Sequence, residues 1–412
     1  MMVSILIPVI RPLKAQRCIA AAKKHAPIDI ELEIISETDT NHLGCPKMVE
    51  MLASKAHGEY LCFLGDDTIP KPDYLSNALN VMSTFPDSIG LVGFNDNHQS
   101  GEIFATHWII HRDLLPLIGN ELFHTGFHHN YCDNDLMARC IKINRYKFAP
   151  DAIVAHDHPS ITGKTLTTDY SQNLPYWGDD KRLFLRRQMK RNVFKLGIGL
   201  PLTDLKVDTP FFLSWTVMEK PDFTLYMPKH VSKIDQVRNM LVEQALDEGC
   251  THLLMMDTDQ VYPPDTIKKL LSHNKDVTGV MVHRRYPPFD PILYQGELGK
   301  YVHVPDDECY SNQLVEVNAT GCGCLVYNME CFLDIDPPWF EFKTLDNGQE
   351  VGEDIMFCHK LKEAGKRIFV DTSINVEHLT TMTITREMYK LYKAVTGFRY
   401  REEENVLGQQ CF

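Results

Sequence analysis

His252-Leu253-Leu254-Met255-Met256-Asp257-Thr258-Asp259-Gln260 decides how this chain is read. A run suited to a buried strand ends abruptly in two carboxylates with one residue between them. Apolar side chains supply a strand's core contacts, but an unpaired carboxylate is too costly to bury with them. Asp257 and Asp259 therefore require water, a counter-charge or a cation. Two hard oxygen ligands at the end of a strand suit Mg²⁺ or Mn²⁺ carrying a diphosphate, because Mg²⁺ usually takes one or two carboxylates together with phosphate oxygens. Taken alone, such a triplet is more often an acidic turn after an ordinary strand, so the sequence around it has to decide.

Outward from that run the pattern is α/β. Phe223 to Met227 reads as a strand, Ile234 to Asp247 as a helix with Ile234, Val237, Leu241 and Ala245 inward, and Gly249 as its stop. After the carboxylates, Val261-Tyr262-Pro263-Pro264-Asp265 turns into a further helix. The strand Val277 to Val282 leads to Arg284 and Arg285, which either pair with phosphate or are surface charge. Gly352-Glu353-Asp354-Ile355 opens a helix ending at Gly365, and Ile368 to Asp371 leads on to His378.

The first half carries the same order. Val3 to Val9 is a strand closed by proline, Arg11 to His25 a helix, Glu31 to Ser36 a strand and Cys45 to His57 a helix. The apolar run from Tyr60 to Leu64 then meets Gly65-Asp66-Asp67. Tyr131-Cys132-Asp133-Asn134-Asp135 opens a helix, where Asp133 is either a functional carboxylate or a complement to the helix dipole. Phe148 to Ala155 delivers His156-Asp157-His158, a metal-binding group or a surface turn. Laying Asp354 on Asp133 puts Gly365 on Asn144 and Phe369 on Phe148 without a gap, and one further residue of slippage brings His378 beside His156 or His158. Shared order, spacing and residue type in both halves predict a duplicated fold. Strands alternating with helices predict open α/β sheets, whose ligands sit outside the carboxyl ends of the strands.

At 412 residues the chain suggests two or three domains. The expected division is 1–195, a linker at 196–207, and 208–412. The net charge of −13 argues against a general nucleic-acid coat. One basic amphipathic segment, 181–195, carries Lys181, Arg182, Arg186, Arg187, Lys190, Arg191 and Lys195. It is either a solvated helical linker or a contact for a polyanion. No stretch has the roughly 20 apolar residues of a membrane span, and the first residues read as a strand rather than a signal peptide, so a cytoplasmic location is expected. Twelve scattered cysteines suit reduced, buried thiols; Cys322-Gly323-Cys324 has no second pair at zinc spacing and reads as structural.

Together these residues resemble the GT-A fold of nucleotide-sugar glycosyltransferases, nearest to family 2, over roughly 1–195 and 208–390. The carriers are Ser4-Ile5-Leu6-Ile7-Pro8, Gly58 to Asp67, Asp133-Asn134-Asp135-Leu136, Arg238-Asn239, Asp257-Thr258-Asp259, Gly321 to Cys324, Gly352-Glu353-Asp354 and His378. The tandem layout is similar to enzymes encoded by bacteriophages and bacteria. The resemblance implies two tandem GT-A domains, Rossmann-like with mostly parallel sheets, joined by a basic helical linker. It implies a Mn²⁺ or Mg²⁺ ion held by Asp257, Asp259 and His378, donor contacts at Arg238, Arg284 and Arg285, and Asp354 as base on the acceptor hydroxyl of an inverting enzyme. For the first half it implies donor contacts at Pro8 and Asp66, metal ligands at Asp67 and His156, and Asp133 as base. There the pattern departs: the family's first Asp falls on Gly65, and the Glu before the base falls on Cys132. That domain is an active site for another donor, an acceptor holder or a decayed copy. The expected function is transfer from a nucleotide-sugar, UDP-linked, to a hydroxyl of a saccharide or glycan. The alternatives are a hydroxymethylated base in phage DNA held by the basic helix, a nucleotidyltransferase, and a non-catalytic sugar- or nucleotide-binding scaffold. Against a nucleotidyltransferase, Pro8-Val9-Ile10-Arg11-Pro12 is no Gly-rich phosphate loop.

Overall fold

The computed structural model describes residues 1–97, 104–158, 171–203, 206–228 and 231–397. The chain forms two compact units, Met1–Lys195 with Gln244–Thr251, and Leu196–Glu243 with His252–Phe412.

In the first unit β1 (Met2–Val9), α1 (Pro12–Lys24), β2 (Glu31–Thr38), α2 (Cys45–Lys55), β3 (Tyr60–Phe63), β4 (Thr68–Pro70), α3 (Tyr74–Met82), β5 (Leu91–Asn95), β6 (Trp108–His111), α4 (Cys132–Lys142), β7 (Tyr146–His156) and α5 (Trp177–Arg191) follow in order. Its sheet runs β2-β1-β3-β6-β5-β7-β4, with β6 and β4 antiparallel to the other five strands. Both faces are packed, as continuous apolar runs such as Tyr60 to Leu64 require. Val3, Ile5 and Cys62 lie in one layer with Tyr74 and Phe94; Leu6, Leu61 and Phe63 lie in the other with Trp108 and Phe123.

In the second unit β8 (Leu196–Gly199), α6 (Thr209–Val217), β9 (Phe223–Tyr226), α7 (Ile234–Asp247), β10 (His252–Met256), β11 (Gln260–Val261), α8 (Thr266–Ser272), β12 (Val277–Val280), β13 (Leu314–Val317), β14 (Cys324–Asn328), α9 (Glu353–Glu363), β15 (Ile368–Asp371) and β16 (Glu377–His378) build the sheet and its cover. The sheet order is β9-β8-β10-β14-β12-β15-β13, again with five strands in one direction and two, β14 and β13, reversed. The expected pair of α/β units with mostly parallel sheets is what the chain forms.

Two readings change. Leu196–Gly199, expected to begin a linker, is strand β8, fully buried between β9 and β10. Its glycines imitate a linker, and Gly199 lets the Leu241 side chain pack close, since an added Cβ would lie 2.9 Å from it. The basic helix ends at Arg191, so Val193, Phe194 and Lys195 lie outside it. It belongs to the first unit, where Arg187 and Arg191 reach the fully buried Asp135. Those two arginines are spent on an internal carboxylate, which weakens the reading of this helix as a polyanion contact.

The start of the first sheet is tied by Glu33. It accepts from the Ser4 hydroxyl, the His57 amide and the His57 ring, while Ser4 in turn accepts from the Gly58 amide. Partial burial opposes ionisation, but those hydrogen bonds outweigh it and bring the Glu33 carboxyl down to about 2. A depressed carboxylate stabilises the fold above its unfolded value, near 4.5, and loses that contribution as pH falls towards 2. Amide protection factors in β1 are therefore expected to drop between pH 5 and pH 2.5, and to vary less with pH in Glu33→Gln. An equal pH response in the variant would assign the acid sensitivity elsewhere.

Candidate functional site

In the second unit β10 delivers Asp257, whose amide donates to the Gly323 carbonyl at 2.7 Å. Tyr262, buried beneath the turn, donates from its hydroxyl toward the carbonyls of Asp257 and Gly323 at 2.8 and 2.9 Å. The Asp257 carboxylate accepts from Arg238 at 3.0 and 3.3 Å, and Arg238 donates its other terminal nitrogen to Glu353 at 2.6 Å. Arg238 is only 4% exposed, so it is neutralised internally and orients Asp257 rather than waiting for a ligand. Burial pushes the Asp257 carboxyl up; Arg238 opposes this and Asp259 adds to it.

Asp259 lies past the turn. The Leu379 amide donates to its carbonyl at 2.8 Å, and β11 pairs with β16 so that Gln260 lies opposite His378. His378 Nε2 is 3.4 Å from Asp259 Oδ2, and Arg285 donates to the same oxygen at 2.8 Å. His378 Nδ1 lies 2.7 Å from the His283 carbonyl, which makes Nδ1 the protonated nitrogen and leaves Nε2 facing Asp259. Burial disfavours charge on both groups, yet their mutual contact prevails and holds Asp259 low and His378 high. Asp259 Oδ1 is buried with no hydrogen-bond partner. An unpartnered oxygen on a carboxylate whose other oxygen lies beside an imidazole Nε2 is a fitting donor set for a divalent ion.

Asp354 is the second residue of α9. Its Oδ1 accepts from the Ile355 amide at 2.7 Å. Gly352 permits that fold-back, since a Cβ there would lie 2.8 Å from Asp354 Oδ1. Asp354, Arg284, Arg285, Tyr286 and His378 border one cavity of about 650 Å³. Arg284 itself donates to the Tyr294 hydroxyl at 2.6 Å and lies 3.3 Å from Asp290.

The first unit repeats much of this. Thr68 lies opposite His156, as Gln260 does opposite His378, and the Asp157 amide donates to the Asp67 carbonyl at 2.9 Å. His156 Nε2 is 3.4 Å from Asp67 Oδ1. Asp133 is the second residue of α4 and accepts from the Asn134 amide at 2.9 Å, as Asp354 does from Ile355. Enclosure by protein raises the Asp133 carboxyl to about 7. A cavity of about 430 Å³ is bordered by Pro8, Asp66, Asp67, Asp133 and His156. Within it Asp66 is fully engaged: the amides of Ile10 and Arg11 and the Arg11 guanidinium all donate to it. It clamps the end of β1. Asp67 lies 3.0 Å from Arg11 Nη1.

Sequence reasoning missed the supporting residues Tyr262 and Gln260, and, in the first unit, Asp96 and His107. With His156 these last two present three potential ligand atoms all within 4.8 Å of one another. The Cys322-Gly323-Cys324 segment is structural: Cys322 lies 3.1 Å from the Tyr327 hydroxyl and both thiols are buried. No helix among the described residues is long and apolar enough to cross a membrane.

No protein-family model matches the chain, and no curated protein does. Among solved structures, 46% of this chain is similar to A197 from STIV, at 16% identity over 87% of that chain, with a TM-score of 0.32. The same share is similar to the mannosyltransferase PcManGT from Pyrobaculum calidifontis in complex with GDP-Man and Mn²⁺, at 13% identity over 64% of that chain, TM-score 0.36. S. aureus TarS 1-349 in complex with UDP-GlcNAc is similar at 15% identity over 50% of this chain and 66% of that one, TM-score 0.30. Likeness of this degree carries no argument about this chain, whose chemistry is read from its own residues.

Arg238→Met removes the cation between Asp257 and Glu353. Leaving buried carboxylates unpaired typically costs about 3–5 kcal/mol, and a loss of that size is expected in denaturant unfolding followed on the second unit. A loss under about 1 kcal/mol would mean that the two carboxylates are held by other groups.

Proposed function

We propose that the chain is a metal-dependent glycosyltransferase whose second unit transfers a sugar from a nucleotide-sugar, UDP-linked, to an acceptor hydroxyl with inversion. One observation carries the reading: His378 and Arg285, both in contact with Asp259, border the same cavity as Asp354. Metal-side groups and a helix-start carboxylate thus face one space large enough for a small ligand.

Asp257, Asp259 and His378 are the residues that would hold a divalent ion, and the unpartnered Asp259 Oδ1 supports the fit. Such an ion supplies charge neutralisation for a departing diphosphate. Arg285 adds cationic charge on the same side. Asp354 accepts the acceptor's proton as the new glycosidic bond forms; a positioned base of this kind contributes about 10²–10⁴-fold. Asp354 leans on only one backbone amide, which leaves its second oxygen for that proton.

A saccharide or glycan acceptor is favoured over DNA. Two arginines of the basic helix, Arg187 and Arg191, are paired with the buried Asp135 and so are not offered to a phosphate backbone. The parallel placement of Asp67, Asp133 and His156 supports a second transfer or acceptor-binding role for the first unit. The division into an N-terminal and a C-terminal domain of similar build belongs to the same proposal, as does an origin among phage or bacterial enzymes of family 2.

The test is nucleotide release from a panel of nucleotide-sugars with Mn²⁺, with and without saccharide acceptors. Asp259→Ala is expected to abolish metal-dependent turnover while leaving the fold intact. Asp354→Asn is expected to keep donor affinity and lower transfer by about 10²–10⁴-fold. Normal turnover and metal response in Asp259→Ala would refute the site. Asp67→Ala distinguishes one working unit from two: turnover of a second donor, lost only in that variant, would mark the first unit as catalytic.

A further inference from the structure

In the first sheet β6, β5 and β7 are neighbours, and β6 runs opposite to the other two. The residue before β6, the residue after β5 and the last residue of β7 therefore meet at one edge. They are His107, Asp96 and His156. Asp96 and His107 are each 3% exposed.

One spacing in this cluster is too long for a hydrogen bond. His156 Nδ1 is 3.8 Å from Asp96 Oδ2 and has no hydrogen-bond partner although it is buried. Hydrogen bonds from ring nitrogens to oxygens normally measure about 2.7–3.2 Å. Donor atoms sharing one ion, each about 2.0–2.2 Å from it in tetrahedral geometry, lie roughly 3.4 Å apart. The Asp96–His156 gap of 3.8 Å is close to that spacing, and the three potential ligand atoms all lie within 4.8 Å of one another.

The surroundings assign the tautomers. The Thr106 hydroxyl donates to Asp96 Oδ2 at 2.9 Å and lies 2.8 Å from His107 Nδ1. Having given its proton to the carboxylate, it accepts one from Nδ1–H, so the lone pair of His107 is on Nε2. Gly65 makes room there: a Cβ at that position would lie 3.0 Å from His107 Nε2. On the far side of His156, Asp67 Oδ1 faces Nε2 at 3.4 Å. A metal-binding histidine usually gives its other N–H to a carboxylate, which fixes the ring and raises its basicity.

We propose that Asp96, His107 and His156 form a divalent transition-metal site in the first unit, with Asp67 and Thr106 as its supporting shell. The donors are two imidazoles and one carboxylate, a set that favours Zn²⁺ or Co²⁺ over Mg²⁺. His107 and His156 also border the first cavity. Three protein ligands beside a cavity leave a coordination position for water or for an anionic oxygen of a bound ligand. The proposal does not rest on the transferase reading.

The test uses the full chain carrying Asp259→Ala, which removes one of the three proposed metal ligands of the second unit and so weakens that site. The protein is stripped with a chelator and titrated with Co²⁺. One equivalent is expected to bind with a visible ligand-field spectrum of nitrogen and oxygen ligation and no thiolate charge-transfer band. Proton NMR of the Co²⁺ form should show two exchangeable, shifted imidazole N–H signals, from the nitrogens facing Thr106 and Asp67. Asp96→Asn and His107→Gln should each weaken Co²⁺ binding at least tenfold. No binding, a thiolate band, fewer than two imidazole signals, or undiminished affinity in a folded Asp96→Asn protein would each overturn the site. The spectra of the parent protein decide the question even where a buried substitution prevents folding.

Discussion

Arg238, 4% exposed, lies between Asp257 at the end of a strand and Glu353 at the start of a helix. Much of the second unit's site depends on that bridge. A guanidinium taken out of water is strongly disfavoured unless it is paired, and burial alone would lower its pKa. The two carboxylates outweigh burial and raise it instead. In return the cation allows Asp257 to sit at the end of an otherwise apolar strand and fixes its direction. The first unit solves the same problem from a different place in the chain. There Arg11, just past β1, binds both Asp66 and Asp67. The cation is at the N-terminal edge of a helix in one case and inside a helix in the other, so the two bridges are separate solutions rather than a copied one.

What is copied is the backbone. Both late helices begin with the same arrangement, a carboxylate at the second position accepting from the next amide. Both end in a left-handed residue, Asn144 at φ 56 and Gly365 at φ 72, the conformation that commonly closes a helix. Both units then return a histidine opposite the residue that follows the carboxylate turn, within the main sheet in the first and in a separate two-stranded ladder in the second. Strand register explains why these features persist together: a one-residue slip would turn the histidine away from the carboxylate and expose the core side of the strand.

This is also why so much was legible in the sequence. Strands that are apolar throughout and stop at Asp, helices that begin at Asp and end at Gly or Asn, and equal spacing between them leave marks in one dimension. The carboxylate turns, Asp133, Asp354, His156 and His378 were found by those marks. Glycine composition misled at Leu196–Gly199, because a buried strand packed closely under Leu241 looks like a linker when only its residues are counted. The direction of Arg187 and Arg191 was not legible either: a basic stripe looks the same whether it faces solvent or a buried Asp135. Asp96 was overlooked although the rule that found Asp66 and Asp67 applies to it, since Leu91–Asn95 also runs straight into a carboxylate; His107, which precedes a strand, falls under no such rule. Their partnership depends on two strands meeting in antiparallel register, which no local pattern states.

The departure at Gly65 then has a physical meaning. In the second unit Asp257 occupies this place and its carboxylate faces Arg238. In the first, a side chain there would press on His107. The pairing that sets Cys324 opposite Met256 sets His107 next beyond the Phe63–Trp108 pair, so a small thiol and an imidazole occupy corresponding ground. Replacing aspartate by glycine on one strand and cysteine by histidine on its neighbour is a compensated exchange: one carboxylate leaves and one nitrogen donor enters. Under the two proposals made above, the first unit's donor set holds more nitrogen than the second's, which fits a different ion preference in the first unit better than a decayed copy.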